Sequence, residues 1–169
     1  MEDMVAAVAT SGRVAFSPTE LAKGYEELAA AGLDAGQTMA TLGPAAQFAQ
    51  AGAFELDTSV QMLIGSMSSF GAMSTIPSVF SANMQRFADV MVNVGNTTPA
   101  SVEEVARAMA QDGAVAARNY GMSLEELAAI IGVYAFQGKK GEEAGHLVGR
   151  GIRLLTSSFM KNQDVWKKF

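Results

Sequence analysis

The 169 residues are 49% apolar, carry a formal net charge of −5 and include no cysteine. A chain this apolar has a core to bury, so disorder is a poor reading, and disulfides, thiolate zinc sites and cysteine nucleophiles are excluded. Lysine and arginine gather on no one face, which argues against nucleic-acid binding; an acidic solvated surface is the plain reading, and a bound cation or basic partner the alternative.

Met1 to Thr10, rich in Ala, Val and Met, reads as a helix with no cap before it, within an N-terminal unit 1–16 that suits the tail of a longer helix. Its acidic opening, Met1-Glu2-Asp3, does not suit a signal peptide. Ser17 caps a helix with Pro18 in its first position, where the missing amide costs nothing; it runs to about Ala31 and stops at Gly32. Asp34 caps the next helix, to about Ala51, with a kink expected at Gly43-Pro44 and an end at Gly52. Asp57 is expected to cap a third helix through about Phe70, with Met62, Leu63, Met67 and Phe70 facing inward.

Gly71 to Pro77 reads as a loop, and Ser78 as the cap of a fourth helix to about Val94. Phe80, Met84, Phe87 and Met91 sit on its core spacing. Gly95-Asn96-Thr97-Thr98-Pro99 is the sharpest break. After it, Thr98 reads as a cap with Pro99 in the first turn of a helix to Tyr120, weakened at Gly113, with Val102, Val105, Met109, Ala116 and Tyr120 on or near one side. Ser123 caps a helix to Gln137, Gly138-Lys139-Lys140-Gly141 is a tight turn, and Glu142 to about Phe159 is the last long helix. A tail, 157–169, closes on Trp166 and Phe169. The longest nearly unbroken apolar run, Leu127 to Phe136, falls far short of the roughly 20 residues a bilayer span needs. No segment alternates with period two, so the expected fold is all-α: a compact bundle of about seven helices.

One phrase is written three times. Ser17-x-x-Glu20, Ser101-x-x-Glu104 and Ser123-x-x-Glu126 are capping boxes, each satisfying two donors at a helix start. The first and third agree further: Ala29 matches Ala135, Gly32 matches Gly138 and Gly43 matches Gly149 at one offset. This predicts a pseudo-repeat, 17–53 and 123–160, and two similar halves that divide near 71–77 or 96–99.

Chemistry finds little footing. His146 is the lone histidine, with only the first-turn acids Glu142 and Glu143 near it in sequence. The pairs Glu26-Glu27, Glu103-Glu104, Glu125-Glu126 and Glu142-Glu143 are adjacent residues, about 100° apart on a helix, so they do not face each other. Gly138-x-x-Gly141-x-x-Ala144-Gly145 follows no strand and precedes no Gly-Lys-Ser/Thr, so it reads as a turn plus small residues for close helix approach, a reading extended to Gly149 and Gly151. The eleven methionines suit core filling or a partner groove. No catalytic, cofactor-binding or metal-binding residue is assigned, and no enzymatic activity is expected.

The run Arg86-Phe-Ala-Asp-Val, Asn96-Thr-Thr-Pro-Ala-Ser-Val-Glu-Glu-Val-Ala-Arg-Ala-Met109, Tyr120-Gly-Met-Ser-Leu-Glu-Glu-Leu-Ala-Ala129 and Gly138-Lys-Lys-Gly-Glu-Glu-Ala-Gly145 resembles the core region of phage tail tape measure proteins of the TP901 type. Ser17-Pro-Thr-Glu-Leu-Ala and Gln47-Phe-Ala-Gln-Ala-Gly52 resemble its upstream part, so the likeness covers roughly 15 to 156 and defines a core domain 17–156. Where the family places a small hydroxyl residue and then a Leu-Arg pair, this chain has His146-Leu147-Val148-Gly149-Arg150. The resemblance implies a structural protein of the tail lumen, assembled in the host cytoplasm, whose length sets tail length. It implies as partners tail-tube, baseplate or tail-assembly chaperone proteins, or another copy of itself, and a parent protein much longer than this chain. A generic helical adaptor is the alternative.

Overall fold

A computed structural model describes residues 16–161; the expected Met1–Thr10 helix and the Trp166 and Phe169 tail lie outside them. Among the described residues eight helices follow one another: α1 Pro18–Ala30, α2 Ala35–Gly52, α3 Leu56–Phe70, α4 Pro77–Thr97, α5 Val102–Met109, α6 Asp112–Asn119, α7 Leu124–Phe136 and α8 Gly141–Lys161. No strand occurs among the described residues. The described residues are all-α, as their periodicity requires. α3 lies in the middle, against α1, α2, α4, α5 and α6, and buries Leu56, Val60, Leu63 and Met67 there. Met62 and Phe70 of the same helix are half-buried at the core edge.

The helix expected over 99–120 is two helices. α5 ends at Met109, and Gln111, extended at φ −88° and ψ 176°, opens α6. Gly113 therefore sits in the first turn of a new helix. α5 itself starts after Ser101, not Thr98; the Thr98 hydroxyl instead accepts from the Ala100 amide. Of the side expected for this stretch, Val102, Val105, Met109 and Ala116 are buried, while Tyr120 stands 55% exposed.

Three other boundaries differ for physical reasons. α3 begins at Leu56, because that leucine is buried, and Asp57 falls inside the first turn. α4 begins at Pro77, whose fixed φ suits a first helical position and which has no amide needing a partner; Ser78 follows it. α4 also runs on through Gly95 to Thr97. Gly95 does not break the helix but makes room: a β-carbon there would lie 2.9 Å from the backbone nitrogen of Val102 on α5.

Gly52 is a similar case. It ends α2 in sequence, yet the left-handed residue is Ala53, at φ 56°. A β-carbon on Gly52 would collide with the ring of Phe54, which meets the buried Phe48 edge to face at 5.2 Å. The glycine frees space for an aromatic ring, and the strain of the left-handed turn falls on an alanine.

Pro44 lies inside α2 and contributes no amide hydrogen, so the carbonyl of Ala40 loses its helical donor. Ser81 of α4 replaces it: its hydroxyl donates to that carbonyl at 2.7 Å. The hydroxyls of Thr38, Thr41, Ser59 and Ser66, all buried, likewise donate to backbone carbonyls, and no buried side-chain polar atom among the described residues lacks a partner.

The local echo shows in the helix bounds: α1 and α7 each span 13 residues from matching starts, and α2 and α8 begin at matching positions, Ala35 and Gly141. The surroundings differ, since α1 packs on α2 and α3 but α7 on α4, α5 and α8.

Replacing Ser81 with Ala should destabilise the chain by about 1–2 kcal/mol, because it leaves the Ala40 carbonyl without its replacement donor. Ser17→Ala or Ser123→Ala should each cost about 1 kcal/mol through loss of a helix cap. Urea unfolding of the three variants checks both; an unchanged midpoint for Ser81→Ala would show that water satisfies that carbonyl equally well.

Candidate functional site

The residues singled out in the sequence fall into two groups. Ser17 with Glu20, Ser101 with Glu104 and Ser123 with Glu126 close reciprocal caps: the serine amides donate to the glutamates at 2.8, 2.8 and 2.7 Å, and the glutamate amides return to the serine hydroxyls. The Ser17 hydroxyl and amide hold the Glu20 carboxyl below its ordinary value, and the Ser123 amide and hydroxyl do the same for Glu126. Gly32 and Gly138 take the left-handed conformation, at φ 86° and 78°, and turn the chain after α1 and α7.

The second group gathers around α8. Lys140, in the turn after α7, donates to the Pro99 carbonyl and lies 3.7 Å from Glu104, fastening that turn to the start of α5. Gly141, at φ 56°, then opens α8. Ala144 and Gly145 are buried against α5 and α6. A β-carbon on Gly145 would run into the Ala108 carbonyl of α5, and one on Gly113 of α6 into the Gly145 carbonyl. Gly149 continues the contact: a β-carbon there would lie 3.1 Å from the Gly113 backbone nitrogen. Gly151 does not: nothing lies within 4 Å of its place for a side chain. The close approach runs through Gly113, Gly145 and Gly149.

Asp112 sits over this contact at the head of α6. It pairs with His146 Nδ1 at 2.9 Å and with an Arg153 guanidinium nitrogen at 2.6 Å, both from α8. Burial pushes its carboxyl up, but the hydrogen bonds from His146 and Arg153 outweigh it and hold the group below its ordinary value. The bonding partner of His146 is thus 34 positions away, out of reach of any local pattern. The group is open to water, with 60% of the His146 side chain exposed, so it clips two helices together and encloses no reaction space.

The adjacent glutamates separate, as helix geometry requires. Glu125 pairs with Arg86, Glu103 with Arg107 and Glu143 with Lys139, at 2.6–2.7 Å. Among the described residues no three acids or histidines converge on a point that could hold a metal ion. A groove of about 310 Å³ between α4 and α7 is lined mainly by apolar side chains, among them Val90, Val94, Val133 and Phe136. No helix of the described residues is long and apolar enough to cross a membrane. The arrangement fastens helices to one another.

Gly145→Ala should cost about 1–3 kcal/mol by overpacking the α5–α8 contact, whereas Gly151→Ala should gain about 0.5–1 kcal/mol from helix propensity. Thermal melts of the two variants decide it, and shifts of the same sign would contradict the assigned contact. Asp112 adds a pH dependence. Its folded value lies below the ordinary 3.8, so its contribution is complete above that pH and is lost as pH falls through the lowered folded value. The stability gap between wild type and Asp112→Asn should therefore be widest near neutrality and close on strong acidification; a gap constant with pH would refute the pairing.

Residues 5–169 match the family model described as phage-related minor tail protein. The tape measure protein of Pneumococcus phage Dp-1 is 32% identical over 140 residues, which cover 82% of this chain and 11% of that protein. The chain thus spans about a tenth of the length of this relative. No solved structure matches it. With nearly its whole length inside the family model and a tape measure protein among its relatives, the chain belongs to the family of phage-related minor tail proteins.

Proposed function

We propose that this chain works as a compact helical module of a tape measure protein, the component that sets tail length and supports tail assembly. The observation that carries this reading is the match of 82% of the chain to a small part, 11%, of the Dp-1 tape measure protein. A module that forms so small a share of a long protein contributes docking and organisation more than length.

Helix physics supports the distinction. A ruler gains about 1.5 Å per residue only where the helix runs on without turning back. Here left-handed glycines at 32, 71 and 138 reverse or redirect the chain, and the helices pack on one core. The module spans 17–156, the hairpin of 17–53 is echoed over 123–160, and the module lies in the tail lumen after assembly in the host cytoplasm. Its partners are the tail tube, the baseplate, tail-assembly chaperones or another copy of itself. Its role is structural and not enzymatic.

The test is an in-frame deletion of residues 17–156 from the phage gene. The expected result is a loss of tailed particles. A straight helical ruler of that length would instead shorten the tail by roughly 210 Å. Tails of normal number and length would remove the tail role altogether, and uniformly assembled tails shortened by the full helical length would replace the module with a ruler. Electron microscopy of the particles reads all three.

A further inference from the structure

α4 and α8 are the longest helices among the described residues, at 21 residues each, and they are held in different ways. α4 buries Phe80, Met84, Phe87, Ala88, Met91 and Val94. Among its described side chains α8 buries Ala144, Gly145, Val148 and Gly149, and a single one of those is branched. Beyond Ile152 the helix stands clear, with Leu154 57% and Leu155 75% exposed. α8 is therefore seated by backbone approach more than by side chains. Such a contact is nearly all-or-none: a gap of roughly 0.5–1 Å forfeits a quarter to a half of the attraction between facing atoms. The pairs of Asp112 with His146 and Arg153 cross it in the open, where water weakens them.

The mount of this helix is firmer than the helix. Lys140, the last residue before α8, donates to the Pro99 carbonyl and stands beside Glu104 at the start of α5. The next residue is Gly141, at φ 56°, and nothing lies within 4 Å of its place for a side chain. Glycine adopts left-handed and right-handed conformations at similar cost, so the chain can rotate there without strain or collision. A pinned lysine, an unobstructed glycine and a rod with shallow roots thus follow one another directly. Sparse apolar burial is what places an element at the least stable end of a fold.

We propose that α8 swings off α5 and α6 as one body, with Gly141 as its pivot, while the core around α3 stays folded. The open form separates Asp112 from His146 and Arg153, bares the Ala108 carbonyl and the Gly113 backbone, and presents α8 as a rod about 30 Å long. Reclosing needs no side-chain repacking beyond Ala144 and Val148, because the glycines between them bring no side chains to fit. This device rests on the packing of α8 alone, independently of the tail role.

The cysteine-free chain makes the test direct. Single cysteines replace valines in the full chain: Val148→Cys on α8 and Val60→Cys on α3, at positions 3% and 1% exposed. A thiol reagent without urea should modify Val148→Cys about tenfold faster or more. Adding urea should speed Val148→Cys less steeply than Val60→Cys, since opening one helix exposes less surface than opening the core. Hydrogen exchange of the wild-type chain reads the same division with no substitution. The amides from Val148 to Ile152 should share one urea dependence, smaller than that of Leu63 and Met67. Equal modification rates, or one steep dependence common to α8 and α3, would mean that α8 leaves only when the whole fold is lost, and would overturn the proposal. So would α8 amides that exchange each at its own pace, which is fraying and not the motion of one body.

Discussion

Backbone meets backbone where α8 lies on α5 and α6, and the rest of the C-terminal half depends on that approach. Gly113 and Gly145 bring a carbonyl to a place where any side chain would stand, and Gly149 extends the contact by a turn. Alanine is the commonest apolar residue of this chain and buries little side-chain surface. Short separation substitutes for side-chain bulk: dispersion between closely spaced atoms adds up where individual residues are small. Once α8 is seated, Ala144 and Val148 are covered, Asp112 reaches His146 and Arg153, and Lys140 reaches Pro99.

Much of this was legible in the sequence. Capping boxes state their own geometry, because donor and acceptor are three residues apart; Ser17, Ser101 and Ser123 all occupy N-caps. Core positions on long helices were legible for a like reason, since Phe80, Met84, Phe87 and Met91 repeat with the helix and all are buried. What stayed hidden was long-range. Gly95 and Gly52 look like stops, yet each is empty so that a distant or neighbouring side chain can come in, Val102 in one case and Phe54 in the other. Glycine marks a left-handed turn or a close approach with the same letter, and only the fold tells them apart. The division of 99–120 into two helices was hidden too, because Gln111 has no signature of a cap. At the candidate site, the glycines of α8 were visible as a stripe, but Gly113 and Asp112 as their counterparts were not.

Few of the interactions that hold this module are strong alone. Ion pairs such as Arg86–Glu125 lie at the surface, half exposed, where salt and entropy reduce them. The core holds its polar groups by tying hydroxyls to carbonyls, so this buried polarity is spent on the backbone.

The bond from Ser81 to Ala40 has a consequence for how the two longest-packed helices find each other. Apolar faces tolerate sliding, since one methionine fills the gap left by another. A hydroxyl that lands on the one carbonyl bereft by Pro44 resists it: a shift of a single turn separates the two half-buried groups. α2 and α4 therefore carry a key as well as a cushion, and the proline that weakens one helix is what makes their mutual alignment unique.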